Sequence, residues 1–109
     1  MNDDLLVCLS NADAVASKED EVRNILWNEC KPFASKVDFD GLGSILFHKN
    51  SEVQDPLKVM FTGHMDEVGF LVRHISEIGM LYLIRVGGVI DKSLEMQKVR
   101  ITTANGTKV

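Results

Sequence analysis

The stretch Phe61-Thr62-Gly63-His64-Met65-Asp66-Glu67-Val68-Gly69-Phe70 decides how this chain is read. It follows an apolar run, Leu57 to Phe61, whose length and composition predict a buried strand. A histidine and two carboxylates arrive where that strand runs out. In an extended backbone His64 and Asp66 share one face, with Cα atoms about 6.6 Å apart, and Glu67 faces the other way. One member of the pair can bind a metal ion while the other holds the imidazole through its second ring nitrogen, which fixes the tautomer and raises its basicity. Gly63 is expected to clear space beside the ring. The position itself favours a site, because open α/β sheets bind ligands at the carboxyl ends of their strands. Only half of a metal site can be read in these residues.

Outward from this stretch, composition narrows the classes of function. With 109 residues and 45% hydrophobic content the chain reads as globular, with a core of modest size. Its 16 acidic and 12 basic side chains give a net charge of −4. The lysines and arginines are scattered singly, so neither a nucleic-acid groove nor a patch for anionic membranes is expected. No apolar run approaches the roughly 20 residues of a membrane span. Met1-Asn2-Asp3-Asp4 is acidic where a secretory signal is basic. Cys8 and Cys30 form no close-spaced motif and fall in helical patterns, which predicts free thiols in a cytoplasmic chain.

Before the central stretch, Asp3 or Asp4 is expected to cap a short helix carrying Leu5, Leu6 and Leu9, interrupted at Ser10 to Asp13. Ser17 is expected as the N-cap of a second helix, with Asp20 three residues on. Val22, Ile25, Leu26, Cys30 and Phe33 form its apolar stripe, Trp27 shields the edge of the core, and Pro32 ends it. The period then changes to two. Val37 and Phe39 predict a strand, Asp40 to Ser44 a tight turn, and Ile45 to Phe47 a second strand. Asn50 to Pro56 is polar and leads into the Leu57 strand. Two more strands are expected at Val68 to Ile75 and Met80 to Val86, joined at Ser76 to Gly79. Gly87-Gly88 suits a sharp turn or a close backbone approach. Lys98 to Thr103 alternates again, and Asn105-Gly106 turns that strand back toward Val109. The hairpin stops as its return arm starts, so the chain is expected to be a piece of a longer protein or to receive a strand from elsewhere. His48 and His74 are read as ordinary strand residues, and Met60 and Met65 as packing.

Asp40-Gly41-Leu42-Gly43-Ser44-Ile45, Gly63-His64-Met65-Asp66-Glu67-Val68-Gly69-Phe70, Gly79 and Val86-Gly87-Gly88 together closely resemble the N-terminal part of the M42 family of metallo-aminopeptidases. Ser44 stands where that family more often has asparagine, and Ala14 to Ser17 replaces a more glycine-rich turn. The resemblance implies an α/β fold, the N-terminal part of a zinc-peptidase-like mixed sheet flanked by helices. Residues 1–86 would belong to the catalytic domain and 87–109 would start an inserted β-barrel-like domain. It implies His64 as a ligand to one of two divalent ions (Zn, Co or Mn), about 3.5–4 Å apart in such centres, with Asp66 as its orienter. It also implies peptide substrates and a homo-oligomer, dimer or dodecamer, for the full-length protein. The bridging aspartate, the general-base glutamate and the remaining ligands are not in this sequence, so the 109 residues alone are expected to hold metal weakly and to be inactive. Glu67 is rejected as the base because it faces away from Asp66. The same geometry excludes a glycosidase, whose two carboxylates must face one cleft. The alternative is a non-catalytic interaction or regulatory module that reuses the peptidase scaffold.

Overall fold

The computed structural model describes residues 3–109; Met1 and Asn2, read above only for charge, lie outside the described residues. The element order is helix, helix, two strands, two strands: α1 (Asp3–Asn11), α2 (Asp20–Cys30), β1 (Lys36–Phe39), β2 (Ile45–His48), β3 (Gly69–Ile75) and β4 (Leu81–Val86), with single 3₁₀ turns at Lys31–Phe33 and Asp91–Ser93. This is a mixed α/β chain with small antiparallel sheets beside helices, β1 against β2 and β3 against β4. It divides into two compact units, Met1–Asp66 and Glu67–Val109.

In the first unit, α1 begins at Asp3. Asp3 and Asp4 are therefore inside the first turn and neither is its cap, and the cap position itself lies outside the described residues. Ser17 is not the cap of α2 either. It adopts a left-handed φ of 71° and donates its backbone N–H to Glu19 Oε1 at 2.8 Å, while Glu19 occupies the N-cap with no side-chain cap bond. Asp20 and Glu21 still face the positive end of the helix dipole. The helix ends at Cys30, where Pro32 enters the 3₁₀ turn. The core of this unit is small: Ala12, Ala14 and Val22 are buried, with Leu9, Ile25, Leu26 and Met65 packed around them. Ala14, 3% exposed, comes from the loop between the helices. Phe33, expected on the helical stripe, lies in the 3₁₀ turn and is exposed. Trp27 does shield an edge: it stacks on Phe39 with centroids 5.8 Å apart and carries the Lys31 ammonium 4.1 Å above its ring.

Three hairpin loops share one design. Asp40-Gly41-Leu42-Gly43-Ser44, Ser76-Glu77-Ile78-Gly79-Met80 and Thr103-Ala104-Asn105-Gly106-Thr107 each close with two backbone bonds. The N–H of the fourth residue donates to the C=O of the first, and the N–H of the first donates to the C=O of the fifth. The fourth residue is glycine every time, at φ of 96°, 82° and 81°. This is a type I turn followed by a left-handed bulge residue, the usual three-residue hairpin loop. Asn105 therefore does not take positive φ, as a two-residue loop would require; Gly106 alone does. The first position carries a side chain that ties the loop. Asp40 Oδ1 accepts from the N–H groups of Leu42 and Ser44 at 2.9 and 2.8 Å, and Ser76 Oγ accepts from Met80 N–H at 2.9 Å. Asp40 is held below the usual carboxylate range, first by the Ser44 hydroxyl and then by these backbone donors.

The predicted strand at Leu57 to Phe61 is not formed. Among the described residues no backbone hydrogen bond joins residues 56–63 to another part of the chain, and Leu57 and Phe61 are 89% and 94% exposed. The composition is that of a buried strand, but a strand exists only through a ladder partner, and no described strand pairs with it.

In the second unit, β3 and β4 pair from Gly69↔Val86 to Ile75↔Leu81 with a register shift between Val72 and His74. His74 lies 5.7 Å from the Tyr82 ring. Gly87 has φ 84° and a Cβ there would meet Val68 Cγ1 at 2.8 Å, whereas Gly88 has open space. The expected close approach thus belongs to the first glycine of the pair. Ile101 and Val109 exchange both hydrogen bonds at 2.8 and 3.0 Å, so the return arm after Gly106 is paired.

Candidate metal centre

The extended segment after Pro56 delivers His64 and Asp66 to a cavity of about 350 Å³ within the first unit. Gly63 to Asp66 line it, together with Leu42, Gly43 and Ser44 of the Asp40–Ser44 loop, the start of β2, and Leu26 and Cys30 of α2. The loop is fixed from behind. Arg23 Nε donates to the Gly43 carbonyl at 2.9 Å, and Arg23 Nη1 pairs with Asp20 at 2.7 Å. A Cβ on Gly43 would stand 2.8 Å from Arg23 Nη2, so glycine is required there by both φ and space.

His64 Nδ1 lies 2.9 Å from the Asp66 carbonyl oxygen and 3.1 Å from Asp66 Oδ1. Both partners can only accept, so Nδ1 carries the proton and donates to both. In the neutral ring Nε2 then holds the lone pair. The ring is 85% exposed and the Asp66 side chain 45%, so their mutual charge interaction is screened by water. The expected offset of two residues does bring the pair together. Gly63 does not work as expected: a Cβ there would meet nothing within 4 Å.

A divalent ion suits this pair as far as it goes. Imidazole nitrogen is a good ligand for zinc or cobalt, and a carboxylate on the opposite ring nitrogen is the customary orienter. The set stops there, since among the described residues no three His, Cys, Asp or Glu side chains come close enough to hold a metal ion. The other histidines are engaged elsewhere: His48 Nε2 lies 3.0 Å from Asp38 Oδ2, and His74 packs on Tyr82. Asp38 is held below the usual range chiefly by its hydrogen bond from Lys36, with smaller contributions from the Lys36 and His48 charges. Both cysteines are free. Sequence reasoning missed Cys30 and the Arg23 brace as parts of the cavity. Arg23 reaches Gly43 across 20 positions of sequence, a contact that the fold closes and no local pattern marks. No helix among the described residues is long and apolar enough to cross a membrane.

Comparison with known proteins identifies the family and the fold. The chain is 43% identical over all its 109 residues to FrvX of Escherichia coli (strain K12), spanning 30% of that protein. It is 31% identical over 106 residues to the glutamyl aminopeptidase of Lactococcus lactis subsp. cremoris (strain MG1363), covering 97% of this chain and 30% of that one. The crystal structure of the TET aminopeptidase from Thaumarchaeota archaeon SCGC AB-539-E09 superposes with a TM-score of 0.88 at 34% identity, covering 97% of this chain and 29% of the other. The chain thus spans about 30% of the length of the curated relatives it matches. Residues 43–109 match the family model of M42 glutamyl aminopeptidases, and the chain belongs to that family.

Proposed function

We propose that these residues are the amino-terminal part of a metal-dependent aminopeptidase, with His64 as a ligand to one of two divalent ions and Asp66 as the group that orients it. The observation that carries this reading is the His64 ring, held through Nδ1 by both acceptors of Asp66 with Nε2 left as the lone-pair nitrogen. Family membership supports the reaction class. When bound, a pair of divalent ions supplies Lewis acidity toward the scissile carbonyl and a water acidic enough to react near neutral pH. This chain's own contribution is positional. Asp66 fixes the tautomer and the ring plane, and the braced loop at Asp40 to Ser44 contributes Leu42, Gly43 and Ser44 to the lining of the same cavity. The other ligands and the base that carries the water's proton to the leaving amine come from the remaining two-thirds of the family fold. The 109 residues alone, with one donor nitrogen, are expected to be inactive and to hold metal weakly. Residues 1–86 are assigned to the catalytic domain and 87–109 to the start of an inserted β-rich domain, and the complete protein is expected to form a homo-oligomer that acts on peptides in the cytoplasm.

The test is hydrolysis of amino-acid p-nitroanilides by the full-length gene product with zinc or cobalt, beside its His64→Ala variant. Activity reduced by about a thousandfold or more in the variant, the scale at which single catalytic groups act, is the expected outcome. Equal rates would remove His64 from the centre.

A further inference from the structure

The last hairpin loop, Thr103-Ala104-Asn105-Gly106-Thr107, contains an Asn-Gly step, and no other asparagine of the sequence precedes a glycine. An asparagine followed by glycine can be attacked from within its own backbone. The Gly106 nitrogen adds to Asn105 Cγ, the new N–Cγ bond closes a succinimide ring, and the Cγ–Nδ2 bond breaks. Nδ2 leaves as ammonia, taking up through water the proton that Gly106 N gives up. Water then opens the ring at either carbonyl and leaves aspartate or isoaspartate. Glycine matters because no Cβ stands beside the attacking nitrogen, and even a Cβ built at Gly106 would meet nothing within 4 Å. Asn105 itself is exposed, so nucleophile, electrophile and water are all at hand in the folded chain.

The loop withholds them from one another. Gly106 N–H donates to the Thr103 carbonyl at 2.9 Å, which fixes the plane of the Asn105–Gly106 peptide and keeps the proton on nitrogen, since a carbonyl is too weak a base to take it. Attack on Cγ requires the nitrogen to lose that proton and to turn the face of its peptide toward the side chain, and the turn breaks the bond. The electrophile is held as well. Asn105 Oδ1 accepts from the Thr103 hydroxyl at 2.5 Å and from Thr107 N–H at 3.2 Å, so two donors anchor the carboxamide. We infer that Asn105 is a deamidation site gated by opening of this hairpin loop, slow while the Thr103 carbonyl and hydroxyl hold Gly106 and Asn105 and fast once they are released. The two products behave differently afterwards. Aspartate keeps an oxygen where Oδ1 was and can re-form the loop. Isoaspartate carries an extra methylene in the backbone, which displaces Gly106 N–H from the Thr103 carbonyl, so an opening that ends in isoaspartate marks the hairpin permanently.

The test is peptide mapping of the 109-residue chain during incubation in mildly alkaline buffer, with the Asn105 peptide resolved into its asparagine, aspartate and isoaspartate forms. The folded chain should deamidate at Asn105 at least about tenfold more slowly than the same chain in guanidinium chloride, the scale of giving up two hydrogen bonds to reach the reactive geometry. Thr103→Ala removes the hydroxyl anchor and leaves the carbonyl one, and should react about threefold faster than wild type or more. Because that variant can also loosen the hairpin as a whole, a second readout uses the wild type. In rising sub-denaturing guanidinium the Asn105 rate and the hydrogen exchange of Gly106 N–H should climb together, since both require the loop to open. Equal rates in folded and unfolded chain, or an Asn105 rate that stays flat while Gly106 exchange accelerates, would overturn the gate. An unchanged or slower rate in Thr103→Ala would overturn it too, a slower one by showing that the hydroxyl assists the attack by polarising Cγ. No modification of Asn105 in either state would remove the site altogether.

Discussion

Replacing Asp66 by alanine tests whether the carboxylate, and not merely the backbone, orients His64. The imidazole Nδ1–H is shared between the Asp66 carbonyl at 2.9 Å and its carboxylate at 3.1 Å. Alanine removes only the second acceptor, so the tautomer survives and the ring keeps one tether. Loss of an orienting partner behind a histidine ligand lowers metal affinity by about 10- to 100-fold. The retained carbonyl bond and the 45% exposure of the carboxylate place this case at the lower end, about tenfold, or ~1.4 kcal/mol. Asp66→Asn keeps an acceptor without the charge and should fall between wild type and alanine. The assay is a competition titration of zinc against a chromophoric chelator, in the full-length protein with each variant. An affinity in Asp66→Ala equal to wild type would refute the reasoning, because the carboxylate would then be a bystander. A loss as complete as that of His64→Ala would refute it differently, by making Asp66 a ligand itself.

Gly43→Ala should destabilise the first unit by about 2 kcal/mol, combining left-handed strain with the encounter at Arg23; Gly41→Ala, with nothing within 4 Å of its Cβ, should cost under about 1 kcal/mol, both read by urea unfolding on Trp27 fluorescence. The Asp40 loop should depend on pH in one direction. Its carboxyl is depressed in the folded state, so its contribution is fully present above the ordinary aspartate value and is lost as pH falls below that value toward the folded pKa. Amide exchange and shifts of Leu42 and Ser44 N–H should hold steady above pH 5 and change only in the acid limb; a change centred near neutrality would contradict the assignment. Phe61→Ser, at a side chain 94% exposed, should alter the stability of the 109-residue chain by no more than about 0.5 kcal/mol, whereas in the full-length protein, where Leu57 to Phe61 is expected to gain ladder partners, the same change should cost at least about 2 kcal/mol. Thermal denaturation of both forms decides this.

What could be read before folding was local. The second helix, the three hairpin loops and the end of α2 at Pro32 follow from period, turn residues and proline stereochemistry, and each is set within a dozen residues. Asp40, Ser76 and Thr103 each stand three residues before a glycine, a spacing that marks the loop type once the left-handed glycine is recognised. The His64/Asp66 contact was also legible, because an offset of two in extended chain leaves little freedom. The failures were of another kind. Ser17 is a good cap by composition, yet its N–H is taken by Glu19, and propensity gave way to a local alternative. Leu57 to Phe61 has the pattern of a central strand, but a strand's existence depends on partners remote in sequence. Arg23 and Gly43 meet across 20 positions, and no periodicity encodes that pairing.

The most direct test of the central claim is a long-range ¹H–¹⁵N spectrum of the histidine side chains, recorded on the 109-residue chain before and during addition of zinc. His64 should be protonated at Nδ1 in the metal-free neutral form and its Nε2 resonance should shift with zinc, while His48, paired with Asp38, and His74, packed on Tyr82, move less. A proton on Nε2 of His64, or a zinc response at His48 and His74 with none at His64, would contradict it.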